Sequence, residues 1–260
     1  MSDELTPRRA REPEAGVARE TGAAPARAES ASRYRAKIDA VSPASRRATF
    51  EAEHDECFLG VSLENSNFAR PKLFAILEWI ARRYARCTVL IGDSIHRITL
   101  ETTKQLAPEV ARAEALRLGR AFLDEERLVF EAFAGSTRFS FVTCDELQAS
   151  ARYAYFHAAL RALHDRDAAF RASVERFGRT YHSKHAGALP EAELARRIAR
   201  SSDYFLEEFA IFSCLRERGL GVMVYPGSFS TLAEIAAGAY PEAPAPLRDL
   251  VVVSLHMRGR

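Results

Sequence analysis

The hexapeptide Cys57-Phe58-Leu59-Gly60-Val61-Ser62 decides how the chain is read. It is a short apolar run without alternation, the signature of a strand buried on both faces. Polar Glu64-Asn65-Ser66 follows one residue later, so the strand ends at a turn. Pro71 then opens a helix in which Leu73, Ile76, Leu77 and Ile80 keep helical spacing. Thr88-Val89-Leu90-Ile91 is a second buried strand, and Phe139-Ser140-Phe141-Val142 a third. A long helix is predicted over 108–133, and further helices over about 145–177 and 190–217. Gly221-Val222-Met223-Val224-Tyr225 and Leu250-Val251-Val252-Val253 read as the fourth and fifth strands. Strands alternating with helices specify an α/β fold, a mainly parallel, doubly wound sheet in one domain.

Outward from this frame, residues 33–55 enter the domain gradually, and the domain is expected to span 33–260. Residues 1–32 are rich in Ala, Arg, Glu and Pro, with Leu5 and Val17 as their large aliphatics. Such a segment buries too little apolar surface to offset its ordering entropy, so a disordered tail is expected. A chain of 260 residues with 47% apolar content has enough material for one sizeable core. A net charge of +2 points by itself to neither nucleic acid nor membrane. There is no apolar run of about 18 residues and no secretory h-region. The early arginines are interspersed with Asp3, Glu4, Glu12 and Glu14, unlike a transit peptide. A cytoplasmic protein is expected, with no membrane or DNA partner.

The four cysteines, Cys57, Cys87, Cys144 and Cys214, form no C-x-x-C pair and are expected to be buried and reduced. No histidine falls into a metal-binding spacing; His182 and His185 read as part of a loop. Neither G-x-x-x-x-G-K-[ST] nor G-x-G-x-x-G is present, so no phosphate cradle is visible and no cofactor or metal is expected.

Ser62 ends the first strand, at the sheet edge where open α/β folds bind ligands. It reads either as a turn-capping serine or as a nucleophile, and Glu64 stands where a G-x-S-x-G elbow needs glycine. Tyr225 ends the fourth strand on the same edge, either packing as an edge aromatic or facing Ser62, and Pro226 stops the strand. In the 190–217 helix, Arg196, Arg200, Asp203 and Glu207 form one polar stripe. Tyr204, Glu208, Ile211 and Leu215 form another, widened by Phe205, Phe209 and Phe212. Glu207 is thus predicted to face water and Glu208 to face apolar company, as a structural partner or a functional carboxylate. On the 108–133 helix Arg117, Arg120 and Arg127 share a face with Asp124, either solvated or phosphate-binding.

Together these residues resemble the cyclodipeptide synthase family. The dense part is Gly60-Val61-Ser62-x-x-Asn65-Ser66-x-Phe68, followed by Trp79 and by Thr88 to Asp93. Asp145-Glu146-Leu147-Gln148 with Tyr153, then Tyr204-x-x-x-Glu208, then Tyr225-Pro226, complete the order. Tyr225-Pro226 matches the family's Tyr-Pro branch, whereas Asn65 matches the other branch. The resemblance implies a Rossmann-like domain similar to the catalytic domains of tyrosyl- and tryptophanyl-tRNA synthetases. It implies two aminoacyl-tRNAs joined into a cyclic dipeptide, without ATP, through an aminoacyl ester on Ser62.

By the same resemblance, Tyr204 and Glu208 hold the amino group of the first aminoacyl chain. Tyr225 assists later proton transfer, and Asn65 and Tyr153 lie around the site. The first side chain enters an uncharged pocket near Phe58, Gly60, Leu90, Gly92, Cys144, Ile211 and Met223. The helix carrying Arg117, Arg120 and Arg127 is where tRNA is expected, although acidic residues dilute it. Transfer from a tRNA ester to a serine ester is close to thermoneutral, so a dedicated histidine base is not compulsory. A monomer is expected. The competing readings are a serine hydrolase with a distant Asp and His, and a catalytically silent tRNA-binding relative of the synthetases.

Overall fold

In the computed structural model, which describes residues 33–185, 190–227 and 230–259, six strands form one sheet. The strands are β1 (Tyr34–Ser42), β2 (Glu56–Val61), β3 (Arg86–Ile91), β4 (Arg138–Thr143), β5 (Val222–Pro226) and β6 (Val251–Gly259). Their order is β1-β6-β5-β2-β3-β4. All neighbours are parallel except β1 and β6, which are antiparallel. The expected disorder of residues 1–32 lies outside the described residues.

The apolar runs form strands because both faces of the sheet are covered. Phe58, Leu90, Val142, Met223 and Val252 enter one core. Their neighbours Leu59, Val89, Ile91, Val224 and Val253 enter the other. The helices are α1 (Phe50–Glu53), α2 (Arg70–Ala81), α3 (Asp93–Thr103), α4 (Pro108–Glu131) and α5 (Cys144–Gln148). They continue as α6 (Ala151–Arg166), α7 (Ala168–His185), α8 (Glu191–Glu217), α9 (Ser230–Ala236) and α10 (Ala245–Arg248). Residues of α2 and α4 pack in the second core, and residues of α6, α7 and α8 in the first. The sheet is therefore doubly wound. From β2 the chain steps outward to β3 and β4, and from β5 the other way to β6. The switch point lies between β2 and β5, where such folds bind ligands.

Three expectations are corrected. The helix predicted over 145–177 is three helices. Ser150 caps α6 by accepting from Tyr153 N at 3.1 Å, and Asp167 caps α7 by accepting from Ala169 N and Phe170 N. Each cap restarts the helical ladder. Residues 33–55 do not enter gradually but supply the edge strand β1 and α1. Finally, His182 lies within helix α7, not in a loop.

Candidate active site

Ser62 and Tyr225 leave β2 and β5 side by side, since Phe58 and Leu59 pair in register with Met223 and Val224. The Ser62 Oγ and Tyr225 OH are 3.0 Å apart, and Asn65 Nδ2 donates to the same phenolic oxygen at 3.4 Å. The Asn65 carboxamide oxygen accepts from Asn67 N at 2.9 Å, capping the 3-10 turn of residues 66–68. Asn67 Nδ2 in turn donates to Pro226 O at 3.1 Å, tying this turn to the end of β5. Phe68 meets the Tyr225 ring edge-on, with centroids 5.8 Å apart. Gly92 follows β3, and its N–H donates to Val61 O at 2.9 Å. A Cβ there would sit 2.8 Å from that carbonyl, so close approach requires glycine.

A cavity of about 550 Å³ opens in front of these residues. Its walls include Ser62, Asn65, Tyr204, Glu208 and Tyr225, the polar residues singled out in the sequence, together with His96, Phe177, Tyr181 and Phe205. Glu208 is 6% exposed, and its Oε2 is buried with no hydrogen-bond partner among the described residues. Burial pushes its carboxyl up to about 8. Burial also pushes the Tyr225 phenol up to about 12, with Glu208 adding to the rise and Ser62 and Asn65 opposing it. Tyr204 is raised well above the ordinary tyrosine range, mainly by burial and next by Glu208. Both phenols keep their protons at neutral pH. The orphan acceptor is the feature to explain, because a buried polar atom without a partner is costly.

Glu207 corrects the expectation of a water-facing side chain. It is 7% exposed, and its carboxylate forms a two-pronged pair with Arg97 at 2.6 and 2.9 Å. Gln148 Nε2 donates to it at 2.8 Å and to Tyr153 OH at 3.3 Å, while Ser94 Oγ donates to Gln148 Oε1 at 2.6 Å. Asp93, its carboxyl raised chiefly by burial, accepts from Ser94 N and Asp145 N at 2.7 and 3.1 Å. Tyr153 thus stands in this network behind the cavity, and its phenol is raised by burial. Arg97 and Ser94 carried no helical or motif signal that marked them in the sequence.

The residues expected around the first side chain lie elsewhere than on the cavity surface. Phe58, Leu90, Cys144, Ile211 and Met223 are buried together in one apolar cluster with Phe209 and Phe212. Gly60 and Gly92 are buried beside it. None of the seven lines the cavity in front of Ser62. Phe58, Gly60, Leu90 and Met223 lie within β2, β3 and β5, Gly92 follows β3, Cys144 opens α5, and Ile211 lies almost one helical turn beyond Glu208. His182, buried on α7, lies 3.0 Å from Ser201 Oγ through Nε2, and both line the cavity.

Arg117, Arg120 and Arg127 are exposed on α4. Arg117 is paired with Glu114 at 2.7 Å, and Arg127 lies 3.9 Å from Glu131. A denser group of cations, marked by no sequence motif, lines two clefts of about 360 and 500 Å³. Arg35 and Lys37 of β1 share one face of the strand, Arg35 is in register with Arg258 of β6, and Arg47, Arg82 and Arg83 complete the group. Alternation of basic residues in 33–37 is the signal that could have found this strip. No group of three or more His, Cys, Asp or Glu among the described residues is arranged to hold a metal. No helix among them is long and apolar enough to cross a membrane.

The family model for cyclodipeptide synthase matches residues 37–213. A cyclodipeptide synthase structure from Fluoribacter dumoffii superposes with a TM-score of 0.73 at 19% identity, covering 87% of this chain and 100% of that one. A Mycobacterium tuberculosis structure, which demonstrates that cyclodipeptide synthetases are related to type I tRNA synthetases, gives 0.62 at 18%, covering 88% and 94%. The cyclodipeptide synthase from Candidatus Glomeribacter gigasporarum bound to Phe-tRNAPhe gives 0.57 at 15%, covering 83% and 93%. At these identities the likeness shows a shared fold. No curated protein sequence matches the chain.

Proposed function

The chain belongs to the cyclodipeptide synthase family, and from that premise we propose that it joins two aminoacyl-tRNAs into a cyclic dipeptide by way of an aminoacyl ester on Ser62. The observation that carries this reading is Glu208. An unpartnered, buried carboxylate in the cavity of Ser62 and Tyr225 offers a ready seat for the α-ammonium of an aminoacyl group. Its raised carboxyl, about 8, lies beside the ordinary α-amino range of about 7.7–8.0. Proton exchange between the two then costs little.

In the first step Ser62 Oγ attacks the aminoacyl carbonyl. The ester bond to the tRNA ribose breaks, and the departing ribose oxygen takes up the serine proton. The amine of the second aminoacyl-tRNA then attacks the ester on Ser62. This forms the peptide bond and returns a proton to Ser62 Oγ. Finally the first residue's amine, relieved of its extra proton by Glu208, attacks the remaining tRNA ester and closes the ring, releasing the second tRNA. Tyr225 keeps its proton at neutral pH, so it serves as a relay between Ser62 and the incoming amine rather than as a phenolate base. Ser62 is hydrogen-bonded to a tyrosine and, among the described residues, to no histidine, which favours this acyltransferase over a serine hydrolase. The related complex with Phe-tRNAPhe supports aminoacyl-tRNA as the substrate class. A cytoplasmic location follows from where charged tRNAs are found.

The test combines two measurements. Bacteria expressing the protein should release a cyclic dipeptide detectable by mass analysis of the medium. Purified protein mixed with charged tRNA should gain the mass of one aminoacyl group, and Ser62→Ala should lose both adduct and product. An adduct that survives in Ser62→Ala would overturn the assignment.

A further inference from the structure

Glu64, two residues after Ser62, has a backbone φ of +55°. A residue with a Cβ enters this left-handed region at a cost, and holds it only where its surroundings over-determine it. Here the side chain supplies the constraint. Lys104 Nζ donates to both carboxylate oxygens, at 2.8 and 3.0 Å, and His96 Nε2 lies 3.0 Å from Oε2. Both partners belong to one rigid element. His96 lies on α3 and Lys104 is its C-cap, where a second left-handed residue, Gln105 with φ +53°, ends the helix. Glu64 is held below the usual carboxylate range, first by the Lys104 hydrogen bond, so it is ionised. Burial lowers His96, so a neutral ring donates Nε2–H to it.

The consequence is geometric. Ser62 and Asn65 flank Glu64, and both reach the same Tyr225 hydroxyl, at 3.0 and 3.4 Å. The backbone at Glu64 therefore sets how these two side chains converge. We propose that Glu64 is a positioning residue for acylation of Ser62: clamped by His96 and Lys104 of α3, it fixes the left-handed turn that aligns the serine hydroxyl with Tyr225. The proposal rests on the reading of Ser62 as the acyl acceptor. It separates positioning from stability, because Glu64 and Lys104 are 43% and 50% exposed. An ion pair so exposed contributes little to folding, whereas misplacing a reacting group by about 1 Å costs on the order of a hundredfold in rate.

The test uses the full chain with Glu64→Ala, Lys104→Met and the double variant. Acylation of Ser62 is followed by quenched intact-mass analysis with charged tRNA, per folded molecule, and hydrogen exchange is followed at residues 62–66. Glu64→Ala should lower the maximal acylation rate by about tenfold or more, with KM within about twofold. It should also speed exchange in the turn. Lys104→Met, at an exposed position that leaves the core intact, should lower the rate by about threefold, and the double variant should be no slower than Glu64→Ala. Near-normal acylation in the single variants, a defect confined to KM, additive losses, or unchanged exchange would each overturn the clamp. If wild-type protein forms no adduct at all, the reading of Ser62 fails first and the clamp with it.

Discussion

Replacing Glu208 by Gln probes the site through two independent readouts. Burial holds this carboxyl at about 8, against an ordinary value of 4.5. Between those values the folded protein binds a proton that the unfolded chain has released, so stability falls as pH rises. The limiting slope is about 1.4 kcal/mol per pH unit, and it flattens as the pH reaches the folded value. From pH 6 to pH 8 the wild-type protein should lose about 2 kcal/mol that the non-titrating glutamine variant keeps. At this chain length that is roughly 4–8 °C in melting temperature. Melting curves of both proteins at pH 6, 7 and 8 give the difference directly, and other titrating groups cancel in the comparison. Cyclic dipeptide formation should meanwhile fall about tenfold or more, because the variant keeps the shape but has no proton to give up and so cannot become the charged partner of the ammonium. Parallel melting profiles would show that Glu208 is not a raised, buried acid. Activity within about twofold of wild type would show that it does not seat the substrate amine.

Glu207→Gln should destabilise, since it leaves the partly buried Arg97 without its counter-charge; about 1–3 kcal/mol is expected, discounted for the exposed edge of Arg97 and read by thermal or urea melting. Gly92→Ala forces a Cβ to 2.8 Å from Val61 O; a loss of about 1–3 kcal/mol and slower Ser62 acylation should be measured together, because Val61 directly precedes the serine. Charge reversal at Arg35 and Lys37 should weaken binding of charged tRNA and reduce the slope of log affinity against log salt by about one for each phosphate no longer neutralised. Reversal at Arg117 and Arg127, already beside Glu114 and Glu131, should change that slope less in the same gel-shift titration.

Strands β2, β3, β5 and the first half of β6 were legible because they are buried on both faces and so read as apolar runs. Strand β4, an edge strand with Ser140 and Phe141 exposed, was legible instead from the aromatic and β-branched residues Phe139, Phe141 and Val142. β1 was not, because it is an edge strand whose Arg35, Lys37 and Asp39 alternate toward solvent. Helix α3 was hidden for a different reason. Its N-cap is Gly92, without a capping side chain, and its first turn buries Asp93 and Ser94, residues that ordinarily mark surface. Helical phase separated Glu208 from Glu207 correctly in angle but not in environment. Near its start α8 does carry a polar stripe, where Arg200 and Asp203 remain about a third exposed. From Leu206 to Leu215, however, every residue is buried, so no face of the helix meets water there. The uncharged run Phe209-Ala210-Ile211-Phe212-Ser213-Cys214-Leu215 was the available sign of that all-round burial. The partner that makes a buried Glu207 tolerable, Arg97, is 110 positions away in sequence and becomes visible only in three dimensions.

That correction gives Glu207 a part in the site. Two adjacent carboxylates on α8 point about 100° apart. One is saturated by Arg97 and Gln148, and the other is left with an orphan oxygen. The saturated one links α8 to α3 through Arg97 and to α5 through Gln148, and Ser94 Oγ ties those two helices to each other. A helix pinned at Glu207 from two neighbouring elements has little freedom to rotate about its axis. Rotation of even a fraction of a turn would carry Glu208 away from the cavity and let its carboxylate find other partners. The network therefore keeps Glu208 unsatisfied, and an unsatisfied carboxylate held in place is what a binding site for an ammonium requires: its affinity comes from a cost already present in the empty enzyme.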